Sequence, residues 1–341
     1  MELPTPCPPR IVSLLPAATE IAAVLGLTDR LVGRSHECDE PSGIERLPAL
    51  TAARIDASAP SREIHEQVGQ ALAGGASTCG MAPTAPSGPT SSGPVSVGGS
   101  SALFSLDVDT LAALKPDLIL TQAACDVCAI AAADVEAAVR QAAVGTRVLA
   151  LSPATLADLL SDVLAVGAAT GTLARARGVV ARLQARIDSV ACRARVLATH
   201  AVAKPPRVAM IEWLDPPMAA GNWVPEMVRL AGGEDALGRP GEHSHWINWD
   251  DVAAADPDVV VLIPCGFPID RVLAEAAGPA VRPHLERLRA WRSGRVVAVD
   301  GHHLFNRPGP RLVDSLEVLA QILHPGAFRF GHDRHVAAVR G

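Results

Sequence analysis

Tyrosine is absent from this 341-residue chain, and phenylalanine and tryptophan number only five each. Lysine is nearly absent too: Lys115 and Lys204 are the only two, so arginine carries almost all of the positive charge. The formal net charge is −6, which offers no general attraction to a nucleic-acid backbone and argues against nucleic-acid partners. No stretch approaches the roughly 18 consecutive apolar residues of a membrane helix, so membrane insertion is not expected. Met1 to Arg10 hold no basic region followed by an apolar segment. Without a secretory signal, the expected location is cytoplasmic or organellar. The glycine-containing loops match neither a phosphate-loop nor a dinucleotide signature.

What is present describes a globular, alanine-rich protein: 49% hydrophobic and 19% charged residues, in a length that suits two domains. The seven cysteines point away from a disulfide framework, which belongs to oxidising compartments, and towards metal binding or redox chemistry.

One unit occurs twice. Asp107–Cys128 and Asp250–Cys265 superpose on Pro116 and Pro257, each copy reading as a short helix, a Pro-Asp turn and an apolar strand. Proline cannot extend a helix and biases the residue before it towards extended backbone. Leu118–Leu120 and Val259–Ile263 are continuous apolar runs, the pattern of strands buried on both faces of a parallel sheet. Cys125 follows the first proline by nine residues, and Cys265 follows the second by eight. Ligands of open α/β sheets sit beyond the carboxyl ends of the strands, so each copy delivers a cysteine to that kind of place. The working picture is two similar lobes facing one cleft.

The chain divides accordingly. Residues 10–154 read as an N-terminal α/β lobe, interrupted at 74–101 by Pro-, Ser- and Gly-rich sequence of disordered composition. Residues 155–203 read as a helical linker. Its second helix, near Thr172–Leu197, spans about 39 Å at the usual rise. Residues 204–325 form a C-terminal α/β lobe, and 326–341 an accessory tail. Within the second lobe a single helix is expected near Pro279–Trp291.

Cys38, Cys125, Cys128 and Cys265 each follow an expected strand, and four thiolates can hold zinc or an iron–sulfur cluster. Cysteine is also a small apolar filler; that reading, or simple exposure, is preferred for Cys7, Cys79 and Cys192. His36 and Glu37 offer metal-ligand or acid–base groups. His243, His245, His302 and His303 lie in loops, where an imidazole can serve a transition metal. Trp213, Trp223 and Phe305 supply either flat contact faces or core plugs beneath the loops. Glu212 and Asp215 can orient amides or a cation, and Arg307 can pair with a phosphate or carboxylate. Nothing demands a nucleophile–base–orienter set, so catalytic residues stay unassigned.

Ile11–Glu20, Leu25-Gly26-Leu27, Leu31-Val32-Gly33, the repeated Pro-Asp unit and Gly294–Asp300 together resemble the iron-siderophore and cobalamin periplasmic-binding domains over about residues 10–325. That resemblance implies the class III periplasmic-binding-protein fold: α/β, with two Rossmann-like lobes joined by a long rigid backbone helix and ligand held between them. Ser35–Asp39, Cys125–Cys128, Glu212–Pro216, Pro264–Phe267 and Phe305–Pro310, in this order, are similar to a subgroup labelled cobalamin-binding proteins. The subgroup brings Phe267 and Asn306 into the candidate ligand set. It implies cobalamin or another corrinoid as ligand and, for transporter members, an ABC permease as partner. The alternative is a metal- or iron–sulfur-containing enzyme or redox protein built on the cysteine quartet.

Overall fold

The computed structural model describes residues 9–75, 103–122, 132–142, 145–200 and 204–339. The chain separates into two compact units, Met1–Ala59 with Glu63–Ser152, and Pro60–Arg62 with Pro153–Gly341.

The first unit carries β1 (Ile11–Ser13), α1 (Pro16–Val24), β2 (Leu31–Arg34), β3 (Thr51–Ala53), α2 (Ser61–Gly75, with its first turn in the second unit), β4 (Phe104–Leu106), α3 (Val108–Leu114), β5 (Leu118–Gln122), α4 (Ala132–Ala142) and β6 (Arg147–Leu151). Four strands make a parallel sheet in the order β2-β1-β5-β6. Proline at the start of α1 supplies a pre-set φ where its missing N–H costs nothing. Gly26, at φ 72°, turns the chain out of that helix. Leu118, Ile119, Leu120 and Thr121 are all buried, as expected for a central strand covered on both faces. β3 and β4 form a separate antiparallel pair, which the sequence reading does not anticipate. The expected insertion at 74–101 lies outside the described residues except at its start, where α2 continues to Gly75.

The second unit holds α5 (Leu156–Ala169), α6 (Leu173–His200), β7 (Arg207–Leu214), β8 (Pro217–Ala219), α7 (Val224–Leu230), β9 (Glu234–Asp235), β10 (His245–Trp246), α8 (Trp249–Ala255), β11 (Val259–Leu262), α9 (Ile269–Ala276), α10 (Arg282–Glu286), α11 (Arg289–Arg292), β12 (Val296–Val299), α12 (Leu312–Leu323) and β13 (Val336–Ala338). Its sheet runs β10-β8-β7-β11-β12-β13, with β9 beside β7. The parallel core β7-β11-β12 mirrors β1-β5-β6, and antiparallel strands extend both edges. α5 begins with a reciprocal capping box between Thr155 and Asp158. The linker's long helix is α6, 28 residues or about 42 Å.

The repeat is reproduced down to individual hydrogen bonds. α3 ends at Lys115 and α8 at Asp256, both left-handed (φ 46° and 43°) immediately before Pro116 and Pro257. In the first copy Asp117 accepts from the Arg10 amide at 2.7 Å, and the Arg10 guanidinium donates to the Leu114 carbonyl at the end of α3. In the second, Asp258 accepts from the Arg207 amide at 2.8 Å, and Arg207 donates to Ala255 at the end of α8. The turn aspartate thus fixes the entry of the neighbouring strand, while arginine satisfies a carbonyl left open by the helix end.

Two expectations are revised. The single helix near Pro279–Trp291 is instead α10 and α11, because Leu288 between them is extended (ψ 147°), and α9 precedes them. The tail adds an edge strand: β13 pairs with β12, and Val339 donates to the Val296 carbonyl.

Candidate functional site

In the first unit the candidate residues cluster where β1 and β2 end. Arg34 closes β2 and donates from Nη1 to the carbonyls of Ser35, His36 and Cys38, so the loop is folded around one guanidinium. Thr51 receives the His36 amide at 3.0 Å and sits 2.6 Å from its Nδ1. Burial, aided by the Arg34 charge, lowers the His36 pKa from its ordinary value and favours the neutral ring. Glu37 is exposed. Cys38 is 1% exposed, with its Sγ 3.0 Å from Thr19 Oγ1. Burial outweighs that hydrogen bond and pushes the thiol up to about 11. In this setting the Cys38 thiol is held in its neutral form. Cys125 and Cys128 lie outside the described residues, as do Cys7 and Cys79. Cys192 is exposed on α6.

In the second unit three loops leave the carboxyl ends of β7, β11 and β12, and they are stitched to one another. The Cys265 amide donates to Glu212 O, Gly266 to Gly301 O, and His302 to Phe267 O. Gly301 has no room for a side chain, since a Cβ there would overlap the Pro264 carbonyl. Asn306 donates its amide to Ile263 O at 2.8 Å and Gly301 O at 3.0 Å, tying the third loop to the second.

The remaining side chains take distinct settings on this frame. Glu212 accepts from Ser244 Oγ at 2.7 Å, and Asp215 pairs with Arg62. Trp213 is half-buried, donates to Ser61 O at 3.2 Å, and meets the Phe267 ring edge-on at 5.2 Å. Arg271 lies 3.5 Å over that same phenylalanine, a cation–π contact. Trp223 and Phe305 are plugs: both are buried, and Trp223 Nε1 donates to the Phe305 carbonyl at 2.7 Å. Phe305 adopts φ 64°, a left-handed conformation that a large side chain rarely takes. His243 is exposed, and Cys265 is half-buried at its strand end. Arg307 is buried, with Nη2 2.9 Å from His302 Nε2.

Sequence reasoning passes over the residue at the centre of this loop set. Asp300, 7% exposed at the end of β12, accepts from the amides of His302 and His303 and lies near the Nδ1 atoms of His303 and His335. Burial alone would raise its pKa, but hydrogen bonds from His303 and His335 outweigh that and hold it well below the usual carboxylate range. The available signal was the Val-Asp-Gly-His-His run; His335 sits too far along the chain to be associated with it. A surface cavity of about 640 Å³ elsewhere in the second unit lies among Thr155, Glu226, Asp235 and Pro240, and no sequence-flagged residue lines it. Among the described residues no helix is long and apolar enough to cross a membrane.

Comparison with known proteins accords with this architecture. The family model described as periplasmic binding protein matches residues 11–302. An uncharacterised ABC transporter substrate-binding lipoprotein, YvrC of Bacillus subtilis, is 22% identical over 94% of this chain and 82% of its own. Among solved structures, a periplasmic heme binding protein from Pseudomonas aeruginosa superposes with a TM-score of 0.69 at 20% identity, covering 98% of this chain and 100% of the other. The periplasmic vitamin B12 binding protein BtuF of Vibrio cholerae gives 0.60 at 20% identity, covering 93% and 97%. These likenesses establish the class III α/β fold. The expected cytoplasmic or organellar location draws no support from them, the Bacillus relative being a lipoprotein.

Proposed function

The chain belongs to the periplasmic binding protein family, and from that premise we propose that it is an ABC-type substrate-binding protein whose cargo is a metal-bearing tetrapyrrole, a corrinoid or heme. The observation that carries this reading is the loop set at the ends of β7, β11 and β12. It sets a half-buried indole, a carboxylate-bound group of histidines and a buried arginine on one rigid frame. Flat aromatic surface suits a macrocycle, imidazole suits its metal, and arginine suits its carboxylate or phosphate substituents. The heme- and vitamin B12-binding relatives support the same class. A permease is the corresponding partner, receiving the cargo from the loaded protein. Candidate ligand contacts are Trp213, His302, His303 and Arg307, with Glu212 and Asp215 beside them.

Titrating the purified protein with heme and, separately, with aquocobalamin tests this. The expected result is a saturable change in the visible spectrum at one equivalent, with affinity of about micromolar or tighter, roughly −8 kcal/mol. Absence of binding by either probe would refute the proposal.

A further inference from the structure

We propose that the tail, residues 326–339, is a working part of the cargo site, with His335 as a positioning residue that sets the 300–307 loop by gripping Asp300. This rests on the cargo class and the loop set proposed above. The sequence marks these residues as accessory, but their fastenings lead to the strand that carries that loop. Phe328 is buried, and the Arg193 guanidinium of α6 lies 5.1 Å from its ring centre. His332 Nε2 is 2.9 Å from Glu317, and Asp333 accepts from Gln321 at 2.6 Å, both partners standing on α12. Beyond these anchors β13 runs antiparallel to β12 as its outer neighbour.

Where β12 ends, the tail holds Asp300 by backbone and by side chain. The His335 carbonyl accepts from the Asp300 amide at 3.0 Å. His335 Nδ1 lies 3.2 Å from Asp300 Oδ2. A guanidinium can only donate, so Arg334 Nε, 2.9 Å from His335 Nε2, makes that nitrogen the acceptor and leaves the ring proton on Nδ1. His335 therefore donates to the carboxylate, sharing Oδ2 with His303 Nδ1 at 2.9 Å. The other oxygen, Oδ1, accepts from the amides of His302 and His303 at 3.0 Å each and so shapes the first turn of the loop. Fixing Oδ2 from outside the loop fixes the angle at which Oδ1 meets those amides, the kind of support that keeps a binding constellation in place. His302, His303 and Arg307, proposed above as cargo contacts, all follow from that turn. His332 fastens the same tail to α12 instead, so it separates holding the tail from setting the loop.

The test compares the whole protein with His335→Ala, His335→Leu, His335→Asn and His332→Ala, with heme and aquocobalamin as probes and the melting temperature read alongside. His335→Ala should bind the probe that the wild type takes up about tenfold more weakly, the scale of one lost hydrogen bond to a charged group. His335→Leu fills the ring's space without a donor and should show the same loss, which keeps the test decisive should the alanine variant fold poorly. His335→Asn keeps a donor near the Nδ1 position and should recover most of the affinity. His332→Ala should lower the melting temperature and leave the affinity as it is. Unchanged affinity in both His335→Ala and His335→Leu would overturn the positioning role and leave the cargo class standing. Equal losses of affinity in the His332 and His335 variants would make the tail a brace for the whole unit and overturn it as well. Failure of the wild-type protein to take up either probe would remove both proposals together.

Discussion

Replacing Arg186 with methionine should destabilise the second unit by about 2 kcal/mol at neutral pH. Arg186 projects from α6 and donates to both Glu317 oxygens at 2.8 and 2.7 Å and to Asp314 at 2.6 Å, both acceptors lying on α12. Truncating one partner of a fully buried ion pair costs about 3–5 kcal/mol, whereas exposed pairs contribute about 0–1 kcal/mol. The Glu317 side chain is 8% exposed, but that of Arg186 is 37% exposed, which places the site between these limits. His332 Nε2, 2.9 Å from Glu317, remains as a partner and keeps the loss from the upper bound.

The sign with pH follows from Glu317. Burial opposes its ionisation, but Arg186 and His332 more than compensate, so its folded pKa lies below the ordinary value. Its contribution is therefore fully present above the unfolded carboxylate pKa of about 4.3 and is lost as pH falls through the lower folded value. Urea denaturation of both proteins should show the stability gap at pH 7 and its shrinkage below about pH 4. A neutral-pH gap under about 0.5 kcal/mol would place this cluster among ordinary surface pairs and refute the reasoning. So would a gap that widens in acid.

Other perturbations read different parts of the structure. Trp223→Phe keeps the plug but leaves the Phe305 carbonyl without its indole donor, and should cost about 1–3 kcal/mol in chemical denaturation. At pH 8 a thiol titrating near 11 is ionised in only about one molecule in a thousand, so Cys38 should resist alkylation in the native protein while exposed Cys192 reacts. Peptide mapping after labelling checks this, and prompt native labelling of Cys38 would contradict its burial. Gly301→Ala should displace the Pro264–Phe267 loop, weakening binding of the proposed tetrapyrrole cargo more than it lowers the melting temperature.

The architecture was legible because its signals are local. Continuous apolar strands bounded by Pro-Asp turns and the three-and-four spacing along α6 declare themselves within a few residues. The break at Leu288 was not legible, because an extended residue between two short helices carries no glycine or proline to mark it. For the site, strand ends could be found but side-chain fates could not. Trp213, Trp223 and Phe305 look alike in sequence, yet the first is half-buried and the other two are sealed inside. Cys38 follows a strand, and only the fold shows its thiol buried against Thr19. The Asp300 cluster depends on His335, brought in by an edge strand whose pairing is non-local.

The doubled fastening of Arg10 with Asp117 and Arg207 with Asp258 has a consequence for how such a protein can change. Both fasteners lie at the amino ends of the strands, while the candidate ligand residues lie at the carboxyl ends. Substitutions that retune cargo choice therefore fall a full strand's length from the bonds that set strand entry. Change at the strand tips and retention of architecture become separable, and neighbours sharing about a fifth of their residues still superpose along nearly the whole chain. A scaffold so built can vary at the far ends of its strands without loosening the bonds that start them.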